Sequence, residues 1–300
     1  MPILFLFTEV IAAVITRSSK EKTRSDEPLP SVAVLIPAHD EEKGIGETLE
    51  VIKDQVSGRD RIIVVVDNCS DQTAEIAQRK GAVVLLRQNR EKKGKGYALD
   101  FGQRFLKKNP PDVVAIFDAD VKISPGTLQR IAQKAHIFKK PVQAKYIMNP
   151  PIDGEARTRI SAFAFLFKNY IRPLGLSRLG GGCLLTGTGM AFPWEVIKNA
   201  LLASSNIVED MQLGIDLAIA GAPPVFCPDS LVKSELASDM SSARIQRTRW
   251  EHGHLITLYT QAGRLFRNAI MQKRLDLILL GLEAVSYTHL TLPTINGECG

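Results

Sequence analysis

Cysteine is scarce in this chain and is not organised where it occurs. Cys69, Cys183, Cys227 and Cys299 follow no metal-ligand spacing and imply no disulfide framework. A reducing compartment is therefore the simpler assumption. Two phosphate-binding signatures are missing. There is no G-x-x-x-x-G-K-[ST] and no G-x-G-x-x-G after a strand, so neither an ATPase P-loop nor a Rossmann dinucleotide site is supported. No internal repeat is present. The basic clusters have no aromatic interleaving and no helix-turn-helix pattern beside them, and nucleic acid is not an expected partner. The apolar opening, Pro2–Thr16, is shorter than the roughly 20 residues a membrane span needs. It also lacks the basic n-region of a signal peptide.

What is present describes a globular α/β protein. The chain has 300 residues, 45% of them apolar and 23% charged, enough for one large domain or two small ones. The net charge of +6 is modest, and its distribution says more than its size. Arg17, Lys20, Lys22 and Arg24 directly follow the apolar opening. We read residues 1–24 as the end of a membrane helix with its basic flank, a buried or interfacial helix being the alternative. Ser25–Ser31, with Pro28 and Pro30, is a linker. Strands and helices then alternate: Val32–Ile36, a helix through Ile45 and Val56, Ile62–Val66, a helix after Asp71 or Thr73, Val83–Leu86, a helix from about Gly96 to Lys107, and Val113–Phe117. Ser124-Pro125 reads as the cap and first-turn proline of the next helix. Repeated β-α units predict a mostly parallel sheet with right-handed crossovers. The second half is less regular: Phe-rich helix Ala156–Ile171, glycine-rich Gly180–Gly189, helix Glu209–Ala220 and helical Ser241–Leu265. Residues 266–285 open an interfacial or transmembrane helix. Ser286–Gly300 matches neither the pattern nor the composition before it and resembles translated sequencing-adaptor read-through, so it is set aside.

The chemistry concentrates at strand ends. Val113–Asp120, VVAIFDAD, is a strand buried on both faces that ends in two carboxylates. In an open α/β sheet ligands lie beyond the carboxyl ends of the strands, and alternate residues project together, so Asp118 and Asp120 can converge. Two hard anionic ligands suit Mg²⁺ or Mn²⁺ carrying phosphates. Taken alone, the pair is equally a solvated turn. The loops at Pro37-Ala-His-Asp-Glu41-Glu and Val66-Asp67-Asn-Cys-Ser-Asp71 open onto the same edge, where a carboxylate could accept from a base or ribose; Asp67 and Asp71 could also be turn residues. Lys92-Lys-Gly-Lys95-Gly precedes a helix and suits a phosphate, or is a solvated charge run. Glu209 and Asp210 open a helix, where carboxylates are stabilised by the macrodipole; the functional alternative makes Asp210 a general base. Gln246-x-x-Arg249-Trp250 joins an anion-binding fork to an aromatic face.

In this order the motifs resemble the inverting glycosyltransferases of family 2 with the GT-A fold, in particular the branch holding cellulose, chitin and hyaluronan synthases. The resemblance runs from about Ser31 to Tyr259. It implies an α/β GT-A fold over residues 31–265, with a mostly parallel nucleotide-binding sheet flanked by helices and with membrane-associated ends. It implies that Asp67 reads the uracil of a UDP-sugar, that Pro37 and Glu41 line the nucleotide pocket, and that Lys95 faces the nucleotide. Asp118 and Asp120 would hold ribose and a divalent metal, Mg or Mn, on the diphosphate. Gly187 and Thr188 would sit near the acceptor. Asp210 would be the base, with Glu209, Gln246, Arg249 and Trp250 around pyrophosphate and acceptor. His39 stands where many relatives have Asn.

The expected activity is transfer of a sugar from a nucleotide-sugar donor to a growing glycan or lipid-linked acceptor. The expected location is the inner membrane, with the catalytic domain facing the cytoplasm. The alternatives are a non-processive transferase that adds one sugar, a non-catalytic nucleotide-sugar-binding membrane subunit, and a nucleotidyltransferase.

Overall fold

The computed structural model describes residues 2–15, 28–150, 156–204, 208–235 and 260–295. Helix α1 is Pro2–Ile15. The expected alternation follows: β1 (Val32–Ala38), α2 (Ile45–Lys53), β2 (Arg61–Asp67), α3 (Thr73–Arg79), β3 (Val83–Arg87), α4 (Lys95–Leu106) and β4 (Val113–Ile116). Then come β5 (Lys122–Ile123), α5 (Thr127–Phe138) and β6 (Val142–Asn149). Helix α6 (Ala156–Leu166) runs into a π-helical turn (Phe167–Ile171) and on into α7 (Arg172–Arg178). The rest is β7 (Met190–Pro193), α8 (Trp194–Ile197), α9 (Glu209–Ile219), β8 (Val225–Glu235), α10 (260–272) and α11 (Leu275–Ile295).

The sheet order is β3-β2-β1-β4-β7-β6-β8-β5. From β3 to β4 every pairing is parallel, because each strand returns through a helix. Every residue of β1 and β4 is buried, as strands covered on both faces require. Val34 and Ile36 pack into one layer, Ala33 and Leu35 into the other.

Beyond β4 the parallel expectation fails. Strand β7 runs antiparallel to β4 and β6, and β5 antiparallel to β8, which makes the sheet mixed. Strand β7 enters after the long excursion through α6, the π turn and α7, so it need not arrive in the direction a β-α unit imposes. The cap expected at Ser124-Pro125 is also displaced. Both residues lie outside α5, whose N-cap is Gly126 at φ 72°, and the Ser124 carbonyl accepts the Thr127 N–H at 3.1 Å. The expected helix over Ser241–Leu265 falls largely outside the described residues. Helix α11 extends through Ile295, past the point where the pattern in the sequence breaks at Ser286.

The two ends of the described chain meet. Helix α1 packs on α7 and α11. Gly175 of α7 allows this approach, since a Cβ there would overlap the Glu9 carbonyl. Arg172 is fully enclosed. Its Nε donates to Glu9 Oε2 at 3.2 Å, and its Nη2 donates to the Glu283 carbonyl at 3.1 Å, to the Glu283 carboxylate and to Ser286 Oγ. Burial first, and Glu283 second, push Glu9 up to about 9 against the pull of Arg172.

Helix α1 is also inverted. Its one charged residue points inward, while Ile3, Leu4, Phe7, Ile11, Val14 and Ile15 form an exposed stripe at helical spacing. Among the described residues no helix is long and apolar enough to cross a membrane.

Gly175→Ala tests the close approach. Alanine is favoured over glycine inside a helix by about 1 kcal/mol, whereas forcing two packed helices apart costs roughly 1–3 kcal/mol. The denaturation midpoint in urea should therefore fall. A rise would show that α1 does not sit against α7.

Candidate active site

The parallel half of the sheet places its loops along one edge, and the first three acidic stretches sit there. Pro37 is buried near the end of β1, paired with Val65. Asp67 closes β2 and is 5% exposed, and its carboxylate is already engaged by Arg87 from β3 and by Asn68 Nδ2 at 2.9 Å. Arg87 also donates to the Lys92 carbonyl and lies 5.6 Å from the centre of the Tyr97 ring. It thereby ties the basic loop to the end of β2. Sequence reading did not single Arg87 out, because it stood with Arg90, Lys92, Lys93 and Lys95 in one basic cluster. His39 Nδ1 donates to the Asp67 carbonyl at 2.7 Å, which fixes the first loop to the second.

Asp118 follows β4, and its N–H donates to the Thr188 hydroxyl at 3.0 Å. Thr188 is fully buried, so it is a prop beneath Asp118 and not a surface offered to an acceptor. Gln143, which sequence reading missed, brackets the glycine-rich loop. Its Nε2 donates to the Thr188 carbonyl at 2.9 Å and its Oε1 accepts the Thr186 N–H at 2.9 Å. The signal was only a polar residue in a strand, since Gln143 lies in β6.

Lys95, the first residue of α4, is the centre of the arrangement. Its ammonium bonds the Asp118 carboxylate and donates to the Gly187 carbonyl at 2.8 Å. Gly187 has φ 87°, and a Cβ there would stand 3.2 Å from Asp210 Oδ2 and 3.3 Å from Lys95 Nζ. Asp210 and Glu209 occupy the first turn of α9. Lys95, Asp118, Gly187, Glu209 and Asp210 line one cavity of about 180 Å³, which continues past Tyr146, Lys168 and Asn169 to Glu283 of α11. Burial raises Asp210 above the usual carboxylate range, opposed chiefly by Lys95. Burial, then Asp210, push Glu209 up to about 7. Asp67 is not on this cavity; β1 lies between its strand and β4. Gln246, Arg249 and Trp250 lie outside the described residues.

Glu41 joins the aspartate pair electrostatically. Burial first, then the charges of Asp120, Asp118 and Asp71, push it up to about 7, and burial with Asp118 raises Asp120. The close approach uses Gly44, where a Cβ would stand 3.3 Å from Asp120 Cα. Carboxyls such as Glu41 and Asp120, pushed up by neighbouring negative charge, are short of positive charge, and oxygen donors of this kind fit Mg²⁺ or Mn²⁺. A second group, Asp40, Cys69 and Asp71, brings one ligand-type atom from each residue within 4.8 Å. Those atoms are otherwise employed. Asp40 Oδ1 accepts the Ser70 N–H at 2.7 Å, Asp71 Oδ1 accepts the Thr73 N–H at 3.0 Å, and Cys69 Sγ donates to the Ala38 carbonyl at 3.4 Å. They form a latch between two loops.

The fold agrees with the comparisons to known proteins. Residues 30–253 match the model for "Glycosyltransferase like family 2", and the chain belongs to that family. It is 27% identical over 262 residues to probable glucomannan 4-beta-mannosyltransferase 10 of Arabidopsis thaliana, covering 82% of this chain and 45% of that one. It is 40% identical over 100 residues to the probable glycosyltransferase YdaM of Bacillus subtilis, covering 31% and 23%. The chain thus spans less than half the length of these curated relatives. In fold it is similar to the mannosyltransferase PcManGT of Pyrobaculum calidifontis, solved with GDP-Man and Mn²⁺, at TM-score 0.65 and 18% identity, covering 98% of this chain and 79% of that one.

The raised carboxyls set the pH dependence of stability. Glu41 and Glu209 ordinarily titrate near 4.5 and in the fold near 7. Across that window the folded protein holds protons that the unfolded chain has lost. The contribution is complete below about 4.5 and is lost as pH rises through about 7. The urea midpoint should decline from pH 5 to pH 7.5, and millimolar Mg²⁺ should recover part of the decline by binding the folded state. A midpoint that rises over this range would contradict the crowding of these carboxylates.

Proposed function

We propose that the chain transfers a hexose from a nucleoside-diphosphate sugar, with UDP as the nucleotide, to a hydroxyl of a glycan or lipid-linked acceptor, with inversion. One observation carries the reading: Lys95 joins Asp118 of the donor edge to the Gly187 loop and the Asp210 side of one cavity. Asp210 Oδ2 takes the proton of the attacking hydroxyl. Its raised pKa makes it a better proton acceptor than an exposed aspartate, and the Lys95 ammonium favours its ionised form. Thr188 and Gln143 hold Asp118 and the glycine loop in place while the donor changes charge. Asp67, oriented by Arg87, faces the nucleotide base. Asp118 and Asp120, with Glu41 beside them, would hold a divalent cation. When bound, that cation supplies positive charge to the departing diphosphate. Mannosyl relatives make GDP the alternative nucleotide, and a donor panel discriminates the two.

The inverted helix α1 supports a membrane-surface location. An apolar stripe facing outward and a charge facing inward suit a helix lying in the headgroup region. At roughly 21 Å, from about 1.5 Å per residue, the helix is too short to span a hydrocarbon core of about 30 Å. The basic residues that follow it suit the cytoplasmic face of the inner membrane.

Asp210→Asn should leave nucleotide affinity within about threefold and reduce transfer by roughly 10²–10⁴-fold, measured as nucleoside diphosphate released from a donor panel. Full turnover in that variant removes Asp210 from the role. EDTA should abolish turnover and Mn²⁺ or Mg²⁺ restore it. For location, the chain should sediment with anionic vesicles, and Phe7→Glu with Ile11→Glu should release it. Vesicle binding unaffected by these changes would assign the stripe to a protein partner.

A further inference from the structure

The cavity beyond Asp210 contains groups that the proposed chemistry does not use. Its far wall is the π-helical turn Phe167–Ile171, which carries Lys168 and Asn169. Single π turns inside α-helices are frequent at functional sites. Asn169 is 3% exposed, and its Oδ1 is enclosed without a hydrogen-bond partner; so is Thr186 Oγ1, on the same cavity. A buried polar atom left unpaired is costly, and two on one cavity describe a place where something else supplies the bonds.

We infer that Asn169 and Thr186 form a subsite for a single uncharged sugar ring, the terminal ring of the acceptor, with Asn169 as its recognition residue. This rests on the transferase reading above and adds the acceptor class to it. Three features select the ligand. The volume, about 180 Å³, is below the roughly 300–1,000 Å³ of pockets for drug-sized ligands, so it suits one compact ring. Met148, Phe165, Leu176 and Leu185 supply apolar walls for the C–H faces of such a ring. An amide oxygen and a hydroxyl address ring O–H groups. Four carboxylates, Asp118, Glu209, Asp210 and Glu283, line the cavity against two lysines, Lys95 and Lys168, and this excess disfavours a phosphorylated or carboxylated ring.

The test is binding, so it needs no turnover. The full chain, labelled with ¹⁵N, is titrated with methyl β-D-glucopyranoside and methyl α-D-mannopyranoside, with glucuronate as the anionic control and decanol as the hydrocarbon control. At least one neutral glycoside should shift the Asn169 side-chain amide saturably, while glucuronate and decanol do not. Asn169→Leu should weaken that glycoside by about tenfold, the scale of one lost hydrogen bond in a dry site. Because the replaced oxygen has no partner in the ligand-free protein, the same variant should melt no earlier than the parent. Unchanged glycoside affinity in Asn169→Leu overturns the inference, as does displacement by decanol alone or equal binding of glucuronate. A large loss of stability would assign Asn169 to the scaffold instead. Donor turnover is scored separately: glycoside binding without turnover removes the transferase reading and leaves the subsite, whereas turnover with an indifferent Asn169→Leu removes the subsite alone.

Discussion

A single ammonium holds the two sides of this site together. Lys95 is half-buried, bonded to Asp118 and to the Gly187 carbonyl, with Asp210 close by. Burying a lysine is unfavourable unless opposite charge surrounds it, and here Asp118, Glu209 and Asp210 more than offset desolvation, so its pKa is raised. The other constraints follow from this one. Gly187 must lack a side chain, Thr188 must hold the Asp118 backbone, and Gln143 must hold both ends of the short loop between them. Acidic residues spaced widely along the chain can face one another because a cation stands among them.

The sheet divides the labour. Its parallel half, built from β-α units, sends loops to one edge and assembles the carboxylates there. Its mixed half, entered through the antiparallel β7, brings the glycine-rich loop, the π turn and α9 around the cavity beside that edge. Open edge and cavity meet at Asp118.

How much of this was legible in the sequence depended on how one-sided each signal was. Strands β1, β2 and β4 are near-continuous apolar runs, and the positions of Asp67 and Asp118 followed from them, as that of Lys95 followed from the basic loop before a helix. Strands β6 and β8 were missed because polar residues interrupt them, as at Gln143 and Lys145, and because their register shifts between Ala144 and Lys145. Strand β7 has only four residues, one of them proline. Ser124-Pro125 looked like a helix start, but Gly126 could take the left-handed conformation that the turn needed. For α1 the sequence revealed an apolar run but not which face of it turns outward. Glu9 turns inward because Arg172, far along the chain, waits there, and periodicity carries no information about such a partner. Asn169 gave no signal at all, since its meaning lies in a bond it does not make.

The buried Arg172 has a mechanical corollary. It clasps Glu9 near the start of the chain and Glu283 near the end, and Glu283 is also part of the cavity wall. A force applied to α1 from outside is therefore borne by the same guanidinium that steadies the cavity floor. The seat of α1 and the shape of the cavity are in this way tied to one joint. The outer surface of the protein and the shape of its innermost chamber cannot drift apart independently.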